Sequence, residues 1–153
     1  MGGVDAPDSL ADEDAELPEP QRHIGYLIRR AQQLHVATWS RLVPGEISSV
    51  QYSVLAVLDR LGHASQRELC DEVDLDRSTV ADIVMRMERR GLIERERDPD
   101  DNRRKTVRLT PTGPAERARL KPLVEQVQTE LTVTLAPRES AALRAALIRL
   151  LDG

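Results

Sequence analysis

Apolar residues recur at helical spacing along most of this chain. Between Gln21 and about Leu42, the positions Ile24, Leu27, Ile28, Ala31, Leu34, Thr38 and Leu42 repeat at close to seven. That period predicts an amphipathic helix able to pack lengthwise on another helix. Pro44 and Gly45 break the pattern. Ser48-x-x-Gln51 is a capping box that opens a second helix, with Val50, Val54, Leu55 and Leu58 inward and Gly62 at its end. A further box, Ser65-x-x-Glu68, opens a short third helix whose buried stripe is Leu69 and Val73. Asp74-Leu75-Asp76 interrupts it, and Asp76 is placed to cap a fourth helix that starts at Arg77. Val80, Ile83, Val84 and Met87 form its inward face, and Gly91 ends it.

The period then changes from helix to strand. Leu92 to Arg97 alternates apolar and charged residues, and Asp98-Pro99-Asp100-Asp101-Asn102 supplies a turn. Arg104 to Leu109 returns, with Val107 and Leu109 expected on one face and Thr106 and Arg108 on the other. Two short helices, a tight turn and a charged β-hairpin make a winged helix-turn-helix. After it, Thr110-Pro111 starts a long helix with proline at its first position, carrying Leu120, Leu123, Val124, Val127, Leu131 and Leu135, with Pro122 as a source of a kink. Pro137 opens a last helix with Ala141, Leu143, Ala146, Leu147, Leu150 and Leu151. The expected fold class is therefore mainly α with a small β-hairpin wing. The apolar faces of the first and last helices exceed what a small winged helix needs to cover its own core.

Charge changes the picture for the fourth helix and the hairpin. The formal net charge is −4, but residues 1–20 hold seven acids and no base, which leaves +3 for the rest. That acidic stretch, rich in Pro, Gly and Ala without helical or strand period, is read as a disordered tail, with an arm competing for the basic face as the alternative. From Arg77 to Thr110 there are ten basic and seven acidic residues, and 20 of the 22 basic residues of the chain are Arg, which favours bidentate contacts. Arg77, Ser78, Thr79, Asp82 and Arg86 lie away from the buried stripe of the fourth helix. Short hydrogen-bonding residues in a first turn with an arginine one or two turns on suit a major groove. At the hairpin tip, Arg103 and Arg104 stand beside aspartates that can hold an arginine fork ready for a minor groove or for phosphates.

The first helix carries a second candidate site. Arg29, Gln32, His35 and Trp39 follow one another at three- and four-residue steps. A guanidinium, an amide, an imidazole and an indole along one side would suit an aromatic carboxylate. The same residues could instead form a polar dimer interface with Trp39 as a core anchor. Tyr52, in the first turn of the second helix, either lines the same pocket or is a core residue with a satisfied hydroxyl.

The run from Asp76 to Gly113, with RSTV, RRGLIER, DPDDNRRKTVRLT and TPTG, closely resembles the MarR-type (multiple-antibiotic-resistance regulator) family. The flanking helices also fall where that family has them. The resemblance implies a homodimer formed through the first and last helices, a pseudo-palindromic double-stranded DNA operator with half-sites roughly 10 bp apart, and an Asp101 that orients Arg103. Within the family, RRAQQLHVATW is similar to the first helix of protocatechuate-responsive repressors. That implies Arg29 and His35 as ligands of a carboxylate and a ring, with Arg30 the alternative for the carboxylate. The implied domains are a tail over 1–20 and one MarR-type domain over 21–153, with a DNA-binding lobe at 48–110 and dimerisation helices at 21–42 and 111–153.

Other classes find little purchase in the sequence. No Gly-rich phosphate loop, GxSxG or HExxH is present, and one cysteine with three scattered histidines (His23, His35, His63) gives no metal set, so no enzyme activity, metal or cofactor is expected. His63 is read as a turn residue and Cys70 as a small buried hydrophobe. The lone cysteine allows no internal disulfide, no leader is evident and no apolar run approaches membrane-spanning length, so a cytoplasmic location without membrane contact is expected. The expected function is a sequence-specific transcription regulator, a repressor released by a small aromatic carboxylate. Two alternatives stand beside it: an effector-independent winged-helix protein that coats DNA, and an oxidation sensor through Cys70.

Overall fold

The computed structural model describes residues 17–97, 100, 101, 103 and 105–153. Six helices and three strands are found among them: α1 (Ile24–Leu42), α2 (Ser49–Leu61), β1 (His63–Ser65), α3 (Gln66–Val73), α4 (Arg77–Arg89), β2 (Ile93–Arg97), β3 (Lys105–Leu109), α5 (Thr112–Leu131) and α6 (Pro137–Asp152). This is a mainly helical winged helix-turn-helix. The disorder expected over 1–20 falls, for 1–16, outside the described residues.

Local chemistry sets the helix boundaries. Both capping boxes form: Ser48 Oγ accepts from the Gln51 amide and Ser65 Oγ from the Glu68 amide, while Gln51 and Glu68 reach back to the amides of Ser48 and Ser65. Asp74, in the left-handed region at φ 53°, ends α3, and the Leu75 amide closes back on the Cys70 carbonyl. Gly91, at φ 70°, ends α4 in a Schellman motif, its amide bonding Glu88 O and the Leu92 amide bonding Met87 O. The turn between α3 and α4 is thus built by Asp74 and Asp76 together.

The sheet is antiparallel in the order β1-β3-β2. β2 pairs with β3 from Ile93 opposite Leu109 to Arg97 opposite Lys105, and β1 pairs with the other edge of β3, His63 opposite Arg108 and Ser65 opposite Thr106. Two sequence expectations are corrected by that third strand. His63 belongs to β1 and not to a turn. Thr106, expected on the outer face, is only 3% exposed, at the position of β3 that pairs with Ser65 of β1 and Glu96 of β2. A three-residue strand that ends on a capping serine carries no alternation of its own to reveal it.

The core is aliphatic. Val54, Leu55, Leu58, Leu69, Val80, Val84, Met87, Ile93 and Val107 are buried together with Leu120 and Val127 of α5. The long helix is therefore part of the lobe's own core as well as a flank. Its start fixes the wing: a Cβ on Gly113 would lie 2.8 Å from the Leu92 carbonyl oxygen and 2.8 Å from Leu109 Cβ. The absence of a side chain lets α5 sit directly on the root of the hairpin. In contrast, α6 buries no residue, and with α1 it borders an apolar groove of about 720 Å³ lined by Leu27, Ile28, Leu143 and Leu147 among others.

Two stability outcomes follow from this geometry. Gly113→Ala should destabilise the protein by about 1–3 kcal/mol in urea unfolding, because both crowded atoms belong to or adjoin backbone. Gly45→Ala, with nothing within 4 Å of its new methyl group, should stay within about 0.5 kcal/mol of the parent. The second outcome concerns the α4 cap. The carboxyl of Asp76 is held below the ordinary aspartate range by the backbone N–H of Thr79, then by the hydroxyls of Thr79 and Ser78. A depressed folded-state value means that the ionised cap stabilises at pH above the ordinary aspartate range, and that this contribution is lost as pH falls through the depressed value. Asp76→Asn keeps an acceptor but does not titrate. The stability difference between parent and variant should therefore shrink on acidification below about pH 4 in parallel urea titrations.

Candidate functional site

Helix α4 is buried by Val80, Ile83, Val84 and Met87 and open on its opposite side. At 100° per residue, the direction opposite the centre of those four falls among Ser78, Asp82, Met85 and Arg89. Arg77 lies on one flank and Thr79 and Arg86 on the other. All of these are exposed except Asp82, which is half-buried. Asp76 Oδ1 accepts from the Thr79 amide at 2.7 Å and from the Ser78 hydroxyl at 3.0 Å, which pins the first turn. Arg86 Nε meets Asp82 Oδ2 at 3.0 Å. Met85 and Arg89 were not singled out by sequence, although they stand nearer the centre of the open face than Arg77, Thr79 or Arg86. Their signal was available by centring the helical wheel on the buried residues. Selecting polar residues alone passes over a methionine.

The wing stands beside α4 and is tied to it. Arg95 Nε donates to Glu88 Oε2 at 2.8 Å, joining β2 to the helix. Arg108 is held by Glu94 at 2.7 Å and Glu96 at 3.2 Å, so this cation braces the hairpin. At the tip, Asp101 Oδ1 accepts from the backbone amide of Arg103 at 3.0 Å. The aspartate thus shapes the turn from which Arg103 projects, through its main chain. Arg104 lies outside the described residues.

The second site is only partly assembled. His35, Trp39 and Tyr52 come together, with ring centroids 6.1 Å apart for His35 and Trp39 and 6.2 Å for Trp39 and Tyr52. They border a cavity of about 620 Å³ whose other walls include Ser53 of α2, Glu72 and Val73 of α3 and Val124 of α5. Trp39 is 8% exposed, and its Nε1–H donates to the Ile47 carbonyl at 2.9 Å. It is at once core anchor and pocket wall. Gln32 lines the groove between α1 and α6, which His35 also reaches. Arg29 and Arg30 are exposed and line neither space; the Arg29 guanidinium lies over the Tyr26 ring, 5.4 Å from its centroid. Cys70 is half-buried in α3.

One connection between the two sites is not written in the sequence. The loop after α1 carries Ile47, which holds Trp39, and Glu46, whose carbonyl and carboxylate both accept from the Arg90 guanidinium, the carboxylate at 3.2 Å. Arg90 is the C-cap of α4. Two adjacent residues therefore hold the indole on one side and the end of the exposed helix on the other. Nearby, Arg119 holds the Glu116 carboxyl below its ordinary range by hydrogen bonding, with Arg90 adding a smaller electrostatic pull. Among the described residues there is no cluster of three His, Cys, Asp or Glu side chains suited to a metal ion, and no helix long and apolar enough to cross a membrane.

Known proteins share this architecture. The family model described as MarR family matches residues 47–105. The HTH-type transcriptional repressor NicR of Pseudomonas putida is 30% identical over 130 residues, spanning 84% of this chain and 82% of NicR. Among solved structures, the PcaV transcriptional regulator of Streptomyces coelicolor, in complex with its natural ligand, superposes with a TM-score of 0.84 at 36% identity, covering 90% of this chain and 97% of that one. Bordetella bronchiseptica BpsR, described for the regulation of its DNA binding by 6-hydroxynicotinic acid, gives a TM-score of 0.85 at 30% identity, covering 90% of this chain and 99% of that one. With its capped helix, its wing and these relatives over nearly its whole length, the chain belongs to the MarR family and is a transcriptional regulator of that family.

Proposed function

We propose that this protein is a cytoplasmic, homodimeric, sequence-specific DNA-binding repressor that is released by a small aromatic carboxylate. The observation that carries the reading is the shared wall. The cavity beside His35, Trp39 and Tyr52 is closed on its far side by α3, the helix that leads directly into α4. A ligand seated there touches the DNA-binding lobe (48–110) and the first helix at the same time. NicR is named a repressor, and PcaV and BpsR are described with a ligand and with 6-hydroxynicotinic acid. Those relatives favour an acidic aromatic ring as the occupant here.

In this reading α4 enters the major groove, Arg77, Ser78, Thr79, Asp82 and Arg86 face base edges and phosphates, and Arg103 and Arg104 of the wing, with Asp101 shaping its tip, reach the adjacent backbone or minor groove. The apolar faces of α1 and α6 and the outer side of α5 form the dimer, placing two copies of α4 on successive turns of a pseudo-palindrome. In the cavity the rings of His35, Trp39 and Tyr52 cover the flat faces of the ligand. Its carboxylate pairs with Arg29 or Arg30 once the long side chain turns inward, and Gln32 contributes an amide from the same helix. Release then requires that the ligand fit one spacing of the two lobes better than the other, since equal affinity for both shifts nothing.

Fluorescence anisotropy on the DNA upstream of the protein's own gene, at fixed salt, tests both halves. Tight binding released by protocatechuate, 6-hydroxynicotinate or a related benzoate is the expected result. Binding that no such acid disturbs would remove the effector, and binding without sequence preference would leave a coating protein. Arg103→Ala should weaken binding on all sequences and lower the salt slope by about two, one for each half-site, whereas Arg86→Ala should change base preference at one position of each half-site by about 1–3 kcal/mol. His35→Ala and Arg29→Ala should each blunt release by the acid while leaving DNA affinity intact; unchanged ligand sensitivity in both would take the first helix out of the site.

A further inference from the structure

We infer that Met85 reads the C5-methyl group of a thymine in each half-site, making it a specificity-determining residue of α4. This rests on the reading that α4 is the element that enters the groove.

The starting point is where exposed apolar surface occurs. Of the fourteen exposed large apolar side chains among the described residues, twelve lie between 17 and 36 or between 133 and 151. Those belong to the terminal segments, which the proposed homodimer would cover with a second copy of the chain. Only Leu61 and Met85 lie inside the winged lobe. Leu61 sits at the end of α2, beside His63 and α3. Met85 is 41% exposed near the centre of the open face of α4, flanked by Ser78, Asp82 and Arg89.

A methionine in that place has no use for the lobe's own packing, since Val80, Ile83, Val84 and Met87 already fill the inward face. It is also out of reach of the phosphates by chemistry, because a thioether offers them neither charge nor a donor. In the major groove the one apolar group on the base edges is the thymine methyl, and an unbranched, polarisable side chain can follow it without strain. The surroundings position it. Arg89 Nη2 lies 3.8 Å from Met85 Sδ and sets a cation on the next turn, where the phosphates that flank the groove would meet it. Met85 and Arg89 share one shallow depression with Glu88 and Arg95, so the sulfur stands at the junction of helix and wing.

The test uses the full-length protein. Binding sequences are selected from a pool of random duplexes, and each thymine of the enriched half-site is then replaced singly by deoxyuridine, which removes only the methyl group. Affinities of the parent, Met85→Ala and Met85→Leu are measured at fixed salt. At one position, and at its symmetry mate in the other half-site, loss of a single methyl should weaken the parent roughly fourfold, and loss of both roughly 15-fold. Met85→Ala, altered in both subunits, should bind the thymine duplex less tightly by about the factor of the double replacement and be indifferent to deoxyuridine at that pair. Met85→Leu, which keeps an apolar tip, should retain the discrimination. The inference is overturned if no deoxyuridine weakens the parent, or if Met85→Ala loses as much as the parent at every position. A pool that yields no enriched sequence would sink the groove-binding reading and this inference with it, and a pool that enriches while every methyl proves irrelevant would sink this inference alone.

Discussion

Helix α4 is held by one face only. Val80, Ile83, Val84 and Met87 drop into an aliphatic core, and the outward residues make only exposed contacts, such as Arg86 with Asp82 and Glu88 with Arg95. Each such side chain contributes about 1.5–3 kcal/mol of burial, so four of them fix the rotation of a thirteen-residue helix that has little else to hold it. That rotation decides which residues can meet a ligand. A slip of one residue would turn the helix by about 100° and bury the arginines. The caps share this work: Asp76 fixes where the helix starts, and the Schellman turn at Gly91 sends the chain directly into the wing. The sequence of the hairpin root follows from the same demand, because α5 must cross it closely enough that only glycine fits at 113.

Much of this was legible from residue order. Capping boxes, the Asp74 and Asp76 turn, the inward stripe of α4 and the hairpin are local patterns, and local patterns survive into the fold because nothing at longer range opposes them. What was not legible depends on distant partners. β1 has three residues and exists only because β3 offers a free edge, so His63 reads as a turn until the sheet is assembled. Thr106 is buried in a sheet whose strands meet it through Ser65 and Glu96, 41 and 10 residues away. A lone threonine in an alternating strand gives no hint of it.

The candidate sites divide along the same line. The fourth helix could be placed on its wheel from sequence, yet choosing residues by polarity left out Met85, since a methionine opposite a buried stripe looks like an irregularity, and stopping at Arg86 left out Arg89 at the helix end. In the first helix, His35 and Trp39 do reach Tyr52, while Gln32 faces the groove beside α6 and Arg29 rests on Tyr26. Spacing alone grouped them: Gln32 and Trp39 share a face but stand about two turns apart along the axis, while Arg29 is also rotated away. Over the ten steps from Arg29 to Trp39 the accumulated rotation comes to about 1,000°, some 80° short of three full turns. Two ends of such a row therefore serve different neighbours.

The Glu46–Arg90 contact bears on how a signal could cross the molecule under the proposed function. The pair is largely exposed, so its charge attraction is weak. Its value is geometric: the carbonyl and the carboxylate of one residue grip a single guanidinium at the end of α4. The adjacent Ile47 grips Trp39 through a buried hydrogen bond, which is more costly to break than a surface ion pair because an indole N–H left unpaired in the core carries a desolvation penalty. Displacing the indole therefore moves the loop before it loosens the bond. The loop then carries Arg90 with it, and Arg90 is the C-cap of α4. Under the proposed function, a ring stacked beside Trp39 would reach α4 through both links in series, so the weaker Glu46–Arg90 contact sets how much of the loop's displacement arrives at the helix. Such an arrangement lets a small ligand bias the lobe between two positions without having to break the lobe's own core.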